Sequence, residues 1–397
     1  MMSVWSSLVG QDDAVAKLSE AAASARAIVA SRAGSAARED ARSMSHAWLI
    51  TGPPGSGRSV AARAFAAALQ CTGEEVGCGT CPGCRTTMGR TNADVLFAAT
   101  ETSIINVETA RSLVLQAQSS PSQGLWRVIV VEDADRLGEA GANALLKAIE
   151  EPPEHTVWLL CAPSPEDMIA TIRSRCRHLG LRIPTANAVA DLLVREGVAT
   201  PEVALEAARA AQSHIGLARA LAADPEMRAR RRAIVTAPVS VRSVGEAVLA
   251  ADRLLETAKA QADAQVSERN AREKAELLRQ LGMEEDERAT KASRTLIRQL
   301  EEDQKRRSKR ALTDAIDRAL IDLLAIYRDV LMTQVGGDGE LINTDLADLV
   351  RSIADESTPR QTLSRVDHIE TARRRLKSNG NTLLVLEDMA ISLRPQA

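Results

Sequence analysis

Two groups of residues in the first half of the sequence have types and spacings that could do chemistry. The first is a glycine-rich loop that follows an apolar segment and precedes a helical pattern. Its residues are Gly52, Pro53, Pro54, Gly55, Ser56, Gly57, Arg58 and Ser59. Glycines let backbone N–H groups surround phosphate oxygens, and the N-terminus of the following helix adds partial positive charge. The pattern therefore predicts a phosphate-binding loop between a strand and a helix.

The residue after the last glycine of this loop departs from the usual pattern. A phosphate loop normally has lysine there, a compact ammonium on a flexible stem that reaches the β- and γ-phosphates. Here the residue is Arg58, whose planar guanidinium is bulkier and does not fit the same slot. The expected Mg²⁺ ligand, Ser59, is present.

An acidic pair follows an apolar segment later in the chain. The usual order is Asp, which holds Mg²⁺ through water, and then Glu, which orients the attacking water. This chain has Glu132 and then Asp133, so each carboxylate is displaced by about one methylene. Together with Arg58, the reversal favours a nucleotide fold that does not hydrolyse ATP efficiently and makes ATP with Mg²⁺ a poor candidate ligand. A working but atypical ATPase is the alternative.

The second group is a cluster of four cysteines within 14 residues. It comprises Cys71, Cys78, Cys81 and Cys84, with Gly77, Gly79 and Gly83 available for tight turns. Four thiolates in a tetrahedral array select Zn²⁺ and leave no open position, so the spacing predicts a structural zinc site. A redox pair formed by Cys81 and Cys84 is the alternative, but it leaves the first two cysteines without a role. We interpret Cys161 and Cys176 as small apolar packing residues.

Alternating apolar and helical segments must position these residues. The predicted strands cover 47–50, 95–97, 128–131, 157–161 and 177–179, and three short helices follow at 188–195, 201–212 and 216–222. Alternation of this kind is typical of a parallel sheet covered by helices. From about residue 224 onward the pattern is helical. The sequence thus predicts an α/β region followed by an all-α region.

The segment 251–310 is unusual because nearly half of its residues are charged. With one glycine and no proline, it predicts a long helix or a helical hairpin with mostly solvated faces. Its end, 305–310, is strongly basic. We favour a solvated helix surface there over a phosphate contact, and the cluster is the only local support for a direct DNA-binding function.

Composition limits the remaining classes of function. A chain of 397 residues predicts two to three domains. The net charge of -3 argues against a broadly basic nucleic-acid coat, and 2% aromatic residues are too few for base-stacking platforms. No apolar run approaches the roughly 20 residues of a membrane span, and the N-terminus lacks the pattern of a signal peptide. We therefore expect a cytoplasmic location.

Several motifs occur in the order seen in bacterial clamp-loader subunits of the AAA+ class, which the chain resembles. They are Val9-Gly10-Gln11, the segment 45–55, the inserted cysteines, the segment 143–153, Ser174-Arg175-Cys176 and the C-terminal segment 376–387. The resemblance covers about the first 220 residues and the end of the chain. The charged segment 251–310 has no counterpart in it.

The resemblance implies a fold of three parts. They are a RecA-like AAA+ nucleotide-fold domain of the P-loop type at 1–182 with the zinc module at 71–84, a helical lid at 183–225, and a helical collar for oligomerisation at 226–397. It further implies a structural arm of the DNA polymerase III clamp-loader ring, which helps load the sliding clamp on primed DNA during replication. An ATP-hydrolysing motor subunit of the tau/gamma type is the alternative. The implied partners are the tau/gamma and delta subunits and, through the complex, the clamp and DNA.

Three positions acquire roles only from this resemblance. Arg175 corresponds to an arginine finger presented in trans to a neighbour's ATP; without the resemblance it reads as part of a surface charge cluster. Arg219 corresponds to a lid arginine that contacts nucleotide, with a salt bridge to a neighbouring helix as the equal alternative. The family's polar residue after the fourth strand falls near Ala162 and Pro163, which would weaken the chain's own site further.

Overall fold

The fold is described by a computed structural model that covers residues 3–32, 43–98, 105–237, 241–281, 291–337, 339–378 and 380–394. The chain forms two units, Met1–Arg219 and Ala220–Ala397. The three predicted domains, with boundaries at 182 and 225, stay a prediction.

A parallel sheet of five strands forms the centre of the first unit. The strands are β1 (Ala47–Thr51), β2 (Val95–Ala98), β3 (Arg127–Val131), β4 (Thr156–Ala162) and β5 (Arg177–Gly180), in the order β2-β3-β4-β1-β5. All four pairings are parallel. The carboxyl ends of β1, β3 and β4 therefore lie along one edge of the sheet. The predicted strands and the α/β fold class are confirmed.

Helices cover both faces of this sheet. The helices of the first unit are α1 (Asp12–Arg32), α2 (Arg58–Leu69), α3 (Pro82–Met88), α4 (Val107–Ala117), α5 (Glu139–Glu150), α6 (Ala170–Arg173), α7 (Ala186–Arg195) and α8 (Pro201–Ala210), and α9 (Ile215–Ala223) spans the boundary. Side chains of β1 alternate between two cores. On one face, the Trp48 ring contacts the Phe65 ring of α2 edge-to-face, with 5.2 Å between the ring centroids. On the other face, Leu49 packs in the core that contains Leu145 of α5. Burial on both faces explains the continuous apolar strand.

The second unit is entirely helical within the residues described. Its helices are α10 (Pro225–Thr236), α11 (Val244–Gln280), α12 (Lys291–Gln334), α13 (Ala347–Glu356), α14 (Pro359–Lys377) and α15 (Thr382–Ser392). Helices α11 and α12 form an antiparallel hairpin, which confirms one of the two predicted forms of the charged segment; residues 282–290 lie outside the described ranges. A capping box between Ser243 and Glu246 starts α11.

The outer part of this hairpin has a polar seam in place of an apolar one. Ala262 and Val266 still pack on Ala311, but one turn further out Arg307 bonds to the Asn270 side chain at 2.7 Å and pairs with Glu273 at 2.8 Å. Ion pairs of this kind add little stability, so the outer hairpin depends on helix propensity and many weak contacts. No helix in the described part of the chain is both long and apolar enough to cross a bilayer.

Candidate functional site

The glycine-rich loop lies where the sequence predicts it, between β1 and α2. Helix α2 begins at Arg58, and its N-cap Gly57 has a φ of 90°. Gly55 has a φ of 89°, and a Cβ there would lie 2.8 Å from the Cα of His214. Both positions therefore require glycine, Gly57 for its backbone conformation and Gly55 also for the close approach of a second segment.

The departing residue of the loop folds back on the loop itself. Nη1 of Arg58 donates a hydrogen bond to the carbonyl of Gly52, the first residue of the loop. The side chain of Ser56 is buried, and its hydroxyl has no hydrogen-bond partner among the described residues. The guanidinium is thus bonded to a main-chain carbonyl of its own loop and not directed at a phosphate that the loop would bind.

Gln11 holds the loop in place, a role that the sequence did not reveal. Its buried side-chain amide donates to the carbonyls of Ser56 at 3.3 Å and Arg182 at 2.6 Å, and its oxygen accepts from the Arg182 N–H at 3.2 Å. One side chain therefore joins the segment before α1, the phosphate loop and the segment after β5. Its position in the motif Val9-Gly10-Gln11 was a signal, but the partners are up to 171 residues away.

The acidic pair lies at the same edge of the sheet, directly after β3. Glu132 forms an ion pair with Arg90, with Oε1 and Nη2 2.5 Å apart, and only 12% of the Glu132 side chain is exposed. The Arg90 guanidinium also lies 4.9 Å from the centre of the Phe97 ring. Asp133 precedes a short 3-10 helix. Sequence reasoning missed Arg90, because no local pattern connects it to an acid 42 residues later.

The end of β4 offers no polar side chain to this edge. Ala162 is the last residue of the strand, and the carbonyl of Pro163 accepts the Gly52 N–H at 3.1 Å. A main-chain contact to the phosphate loop therefore occupies the place where the resemblance implies a polar residue. The assignment of Gly52–Ser59, Glu132 and Asp133 to a degenerate nucleotide site stays a prediction.

The four clustered cysteines converge on one point between α2 and α3. All four Sγ atoms lie within 4.8 Å of one another, with Cys71 3.7 Å from Cys78 and 3.9 Å from Cys81. A tetrahedral thiolate site with metal–sulfur bonds of about 2.3 Å places its sulfurs about 3.8 Å apart. The geometry of these residues therefore fits a bound metal ion.

Hydrogen bonds prepare two of these sulfurs for ionisation. The Thr80 hydroxyl and the Cys81 N–H donate to Cys78, and they lower the pKa of that thiol. Burial alone would raise the pKa of Cys81, but hydrogen bonds that include the Cys84 N–H lower it to about 6. Burial raises the pKa of Cys84. A cation at the centre would reverse that last effect, because coordination deprotonates a thiol.

Close backbone packing fixes the cysteine module. Gly77 and Gly79 have φ values of 80° and 77°, as the predicted turns require. Gly83 serves a different purpose, since a Cβ there would lie 2.0 Å from the carbonyl oxygen of Gln70. Arg26 of α1 donates to the carbonyl of Cys71 at 3.0 Å and so attaches the module to the sheet domain.

The remaining two cysteines lie away from this module. Cys161 is fully buried in β4, and Cys176, which lies between α6 and β5 in the sequence, packs against the core that contains Leu145 of α5. Burial raises the pKa of each thiol to about 12, so neither is a thiolate near neutral pH. Both properties agree with the predicted packing role.

Arg175 follows α6 and is 39% exposed. Its Nε pairs with Glu150, and its Nη1 donates to the Thr171 carbonyl at 2.8 Å and to the Ser174 hydroxyl at 3.3 Å. Buried Ile172 and half-buried Cys176 anchor the backbone on either side. The predicted finger therefore has an exposed guanidinium on a well-held segment, and its role in trans stays a prediction.

Arg219 forms the salt bridge that was one of its two predicted alternatives. Its Nε and Nη2 reach both carboxylate oxygens of Glu196 at 2.8 to 2.9 Å. A nucleotide contact would require this pair to open, and it stays a prediction. In the basic cluster 305–310, Arg306 pairs with Glu302, Arg307 with Glu273, and Arg310 with Asp314. The pairs of Arg306 and Arg310 agree with the favoured solvated helix surface, whereas Arg307 is 11% exposed and lies in the seam between α11 and α12.

Two family models match this chain. The model described as "DNA polymerase III, delta subunit" matches residues 35–185, and its C-terminal counterpart matches 287–394. Together they cover more than half of the chain. They include the sheet domain with its loop, cysteine and arginine motifs, and most of the C-terminal helices.

Curated relatives match mainly the first half of the chain. The delta' subunit of Escherichia coli K12 is 33% identical over 189 residues, which are 47% of this chain and 57% of the relative. The delta' subunit of Yersinia pestis is 38% identical over 143 residues, 35% of this chain and 42% of the relative. The gamma/tau subunit of Mycobacterium tuberculosis H37Rv is 35% identical over 162 residues, 39% of this chain and 28% of the relative. The chain thus spans between about a quarter and somewhat over half of these relatives.

A solved structure gives a looser likeness over a longer range. The gamma subunit-related protein of Thermotoga maritima aligns over 87% of this chain and 93% of its own, with a TM-score of 0.41 and 17% identity. The two family models and the delta' relatives agree with one another and with the residues described above. The chain belongs to the clamp-loader subunit family of DNA polymerase III.

Proposed function

We propose that this chain is a delta-prime-type subunit of the DNA polymerase III clamp loader. It acts as a structural arm of a hetero-oligomeric ring with tau/gamma and delta subunits, in the cytoplasm. Through the ring it helps to load the sliding clamp on primed DNA. The chain matches up to 57% of the length of these delta' relatives, and we extend the role in their names to the whole protein.

The observation that carries the proposal is the contrast between two arginines. Arg58 is turned into its own phosphate loop, where it bonds to the Gly52 carbonyl, whereas Arg175 lies exposed beside the sheet. A guanidinium aimed at a neighbour's γ-phosphate stabilises the charge that develops during phosphoryl transfer. The chain is thus better equipped to assist catalysis in the next subunit than to perform it.

The test is the ATPase rate of the complex reconstituted with its tau/gamma and delta subunits. We expect Arg175→Ala to lower the DNA-stimulated rate by about tenfold or more while the ring still assembles. The matched control is Arg173→Ala, since Arg173 is also exposed and lies one half-turn earlier. An Arg175→Ala complex that assembles and works at the normal rate refutes the finger.

The chain's own nucleotide site is the basis of the alternative function, a tau/gamma-like motor. Ser59, Glu132 and Asp133 are present, but Glu132 is paired with Arg90. We expect the isolated chain to bind a fluorescent ATP analogue weakly and to show no turnover. Micromolar binding with turnover that is lost on changing Glu132 and Asp133 to alanine would establish the motor function instead.

We also propose that the cysteine module binds one structural Zn²⁺. Cys71, Cys78, Cys81 and Cys84 would supply four thiolates, which close the coordination sphere and leave no position for a substrate. The ion would join the turn after α2 to α3.

A further inference from the structure

Arg175 is held by an acid that belongs to a different part of the sequence. Glu150 is the last residue of α5, and its carboxylate pairs with Nε of Arg175. The Nη1 side of the fork bonds to Thr171 and Ser174. In the described contacts, Nη2 has no such bond. One edge of the guanidinium is therefore held while another stays available.

The position of Glu150 is not explained by the helix that carries it. A carboxylate at a helix C-terminus lies next to the negative end of the helix dipole, where local electrostatics disfavour it. The helix stops at this point because Pro152 and Pro153 follow closely. The Arg175 guanidinium provides the compensating positive charge, so the pair serves both residues.

We infer that Glu150 is a positioning residue for Arg175, an inference that rests on the proposed finger function. The carboxylate fixes Nε, so the long side chain loses part of its rotational freedom before the neighbouring subunit's nucleotide arrives. A finger oriented in advance needs less ordering in the transition state. The side chains of Arg175 and Glu150 are both about 40% exposed. Arg175 can therefore contact a nucleotide in the neighbouring subunit without first breaking a buried ion pair.

Substitution of Glu150 by glutamine tests this role in the reconstituted complex. Glu150→Gln keeps the size of the side chain and removes the charge that orients the guanidinium. We expect kcat for ATP to fall by about threefold, less than in Arg175→Ala, because one ordering contact of the finger is lost. KM should change by less than about twofold, since the neighbour's own loop binds the ground state.

Three further variants separate orientation from a structural effect. Glu151→Gln is the matched control, because Glu151 is exposed, adjacent in sequence and outside the contacts of Arg175. Glu150→Asp should recover part of the rate. The double variant Glu150→Gln/Arg175→Ala should be no slower than Arg175→Ala alone, because the acid acts only through the arginine.

The outcomes distinguish this inference from the proposed function. A normal rate for Arg175→Ala would overturn the finger and the positioning role together. A slow Arg175→Ala complex with a normal Glu150→Gln complex would overturn the positioning role alone. The positioning role would also be overturned if Glu150→Gln slowed the Arg175→Ala complex further. A clear fall in the thermal unfolding temperature of Glu150→Gln, together with the fall in rate, would likewise indicate a structural role.

Discussion

Replacement of Asp94 by asparagine should destabilise the sheet domain strongly although the two side chains have the same size. Asp94 precedes β2, and its side chain is fully buried. One carboxylate oxygen accepts the Ser122 N–H at 2.7 Å and its hydroxyl at 3.0 Å, and the other accepts the N–H groups of Gln123 at 2.7 Å and Gly124 at 2.6 Å. These bonds shape the turn that leads into β3 and its acidic pair.

The expected cost follows from the oxygen that becomes an NH₂ group. If the amide oxygen keeps the Ser122 bonds, the NH₂ group faces two N–H donors, and both bonds to a charged acceptor are lost. At about 1.5 kcal/mol or more for each such bond, the loss is about 3 kcal/mol. For a unit of this size, that corresponds to a fall of about 6 to 12 °C in unfolding temperature.

The pH dependence provides an independent check. Burial alone would raise the pKa of Asp94, but the N–H groups of Ser122, Gln123 and Gly124 hold it below its ordinary value. The stabilisation is therefore complete above the unfolded pKa of about 3.9 and is lost as the pH falls below about 4. The difference between the wild type and Asp94→Asn should accordingly be largest near neutral pH and shrink in acid.

Differential scanning calorimetry measures both effects. Hydrogen exchange across 119–126 identifies which unfolding transition belongs to this turn. The control is Asp191→Asn on exposed Asp191, for which a change within about 0.5 kcal/mol is expected. If Asp94→Asn unfolds at the same temperature as this control, the turn does not depend on the carboxylate and the reasoning is wrong.

Three further predictions concern the metal module and the second unit. Cys78→Ser should reduce bound zinc, measured by atomic emission, from about one equivalent per chain to well under half an equivalent. The control Cys176→Ser should keep its zinc, and equal zinc content in the two variants would exclude the four-sulfur site. Gly83→Ala places a Cβ 2.0 Å from the Gln70 carbonyl, so it should also lower the zinc content, whereas Gly245→Ala, with nothing within 4 Å of the new Cβ, should not. Arg231→Leu removes a buried partner of Asp322 and should lower the free energy of chemical unfolding by about 3 kcal/mol. Arg230→Leu, on the exposed face of the same helix, should lower it by less than about 1 kcal/mol. Similar values for the two variants would show that the buried pair is unimportant.

Local patterns in the sequence determined most of the elements and two of the sites. The three central strands, β1, β3 and β4, are apolar because both faces of the sheet are buried there. All five strands were predicted to within about one residue at either end. The phosphate loop and the cysteine module are contiguous in sequence, so spacing alone indicates their chemistry. The departures at Arg58 and Glu132 were visible for the same reason, because a motif defines which residue type each position requires.

Only the tertiary structure decided which side chains meet across long separations in the chain. Gln11 with Arg182, Arg90 with Glu132, and Arg175 with Glu150 are pairs whose members lie far apart in sequence. No periodicity or motif connects them. Their contacts depend on the order of the strands. Glu132 and Arg182 follow β3 and β5, whereas Glu150 and Arg175 precede β4 and β5.

The same distinction applies to the two exposed arginines. Sequence resemblance assigned Arg175 and Arg219 to nucleotide contacts, with a salt bridge as the equal alternative for Arg219. It did not identify the acidic partners, Glu150 and Glu196. A residue type can be predicted from the chemistry that a motif needs, because that requirement is local. The charge that surrounds it is set by helices packed from elsewhere in the chain, and only the folded arrangement determines that surrounding.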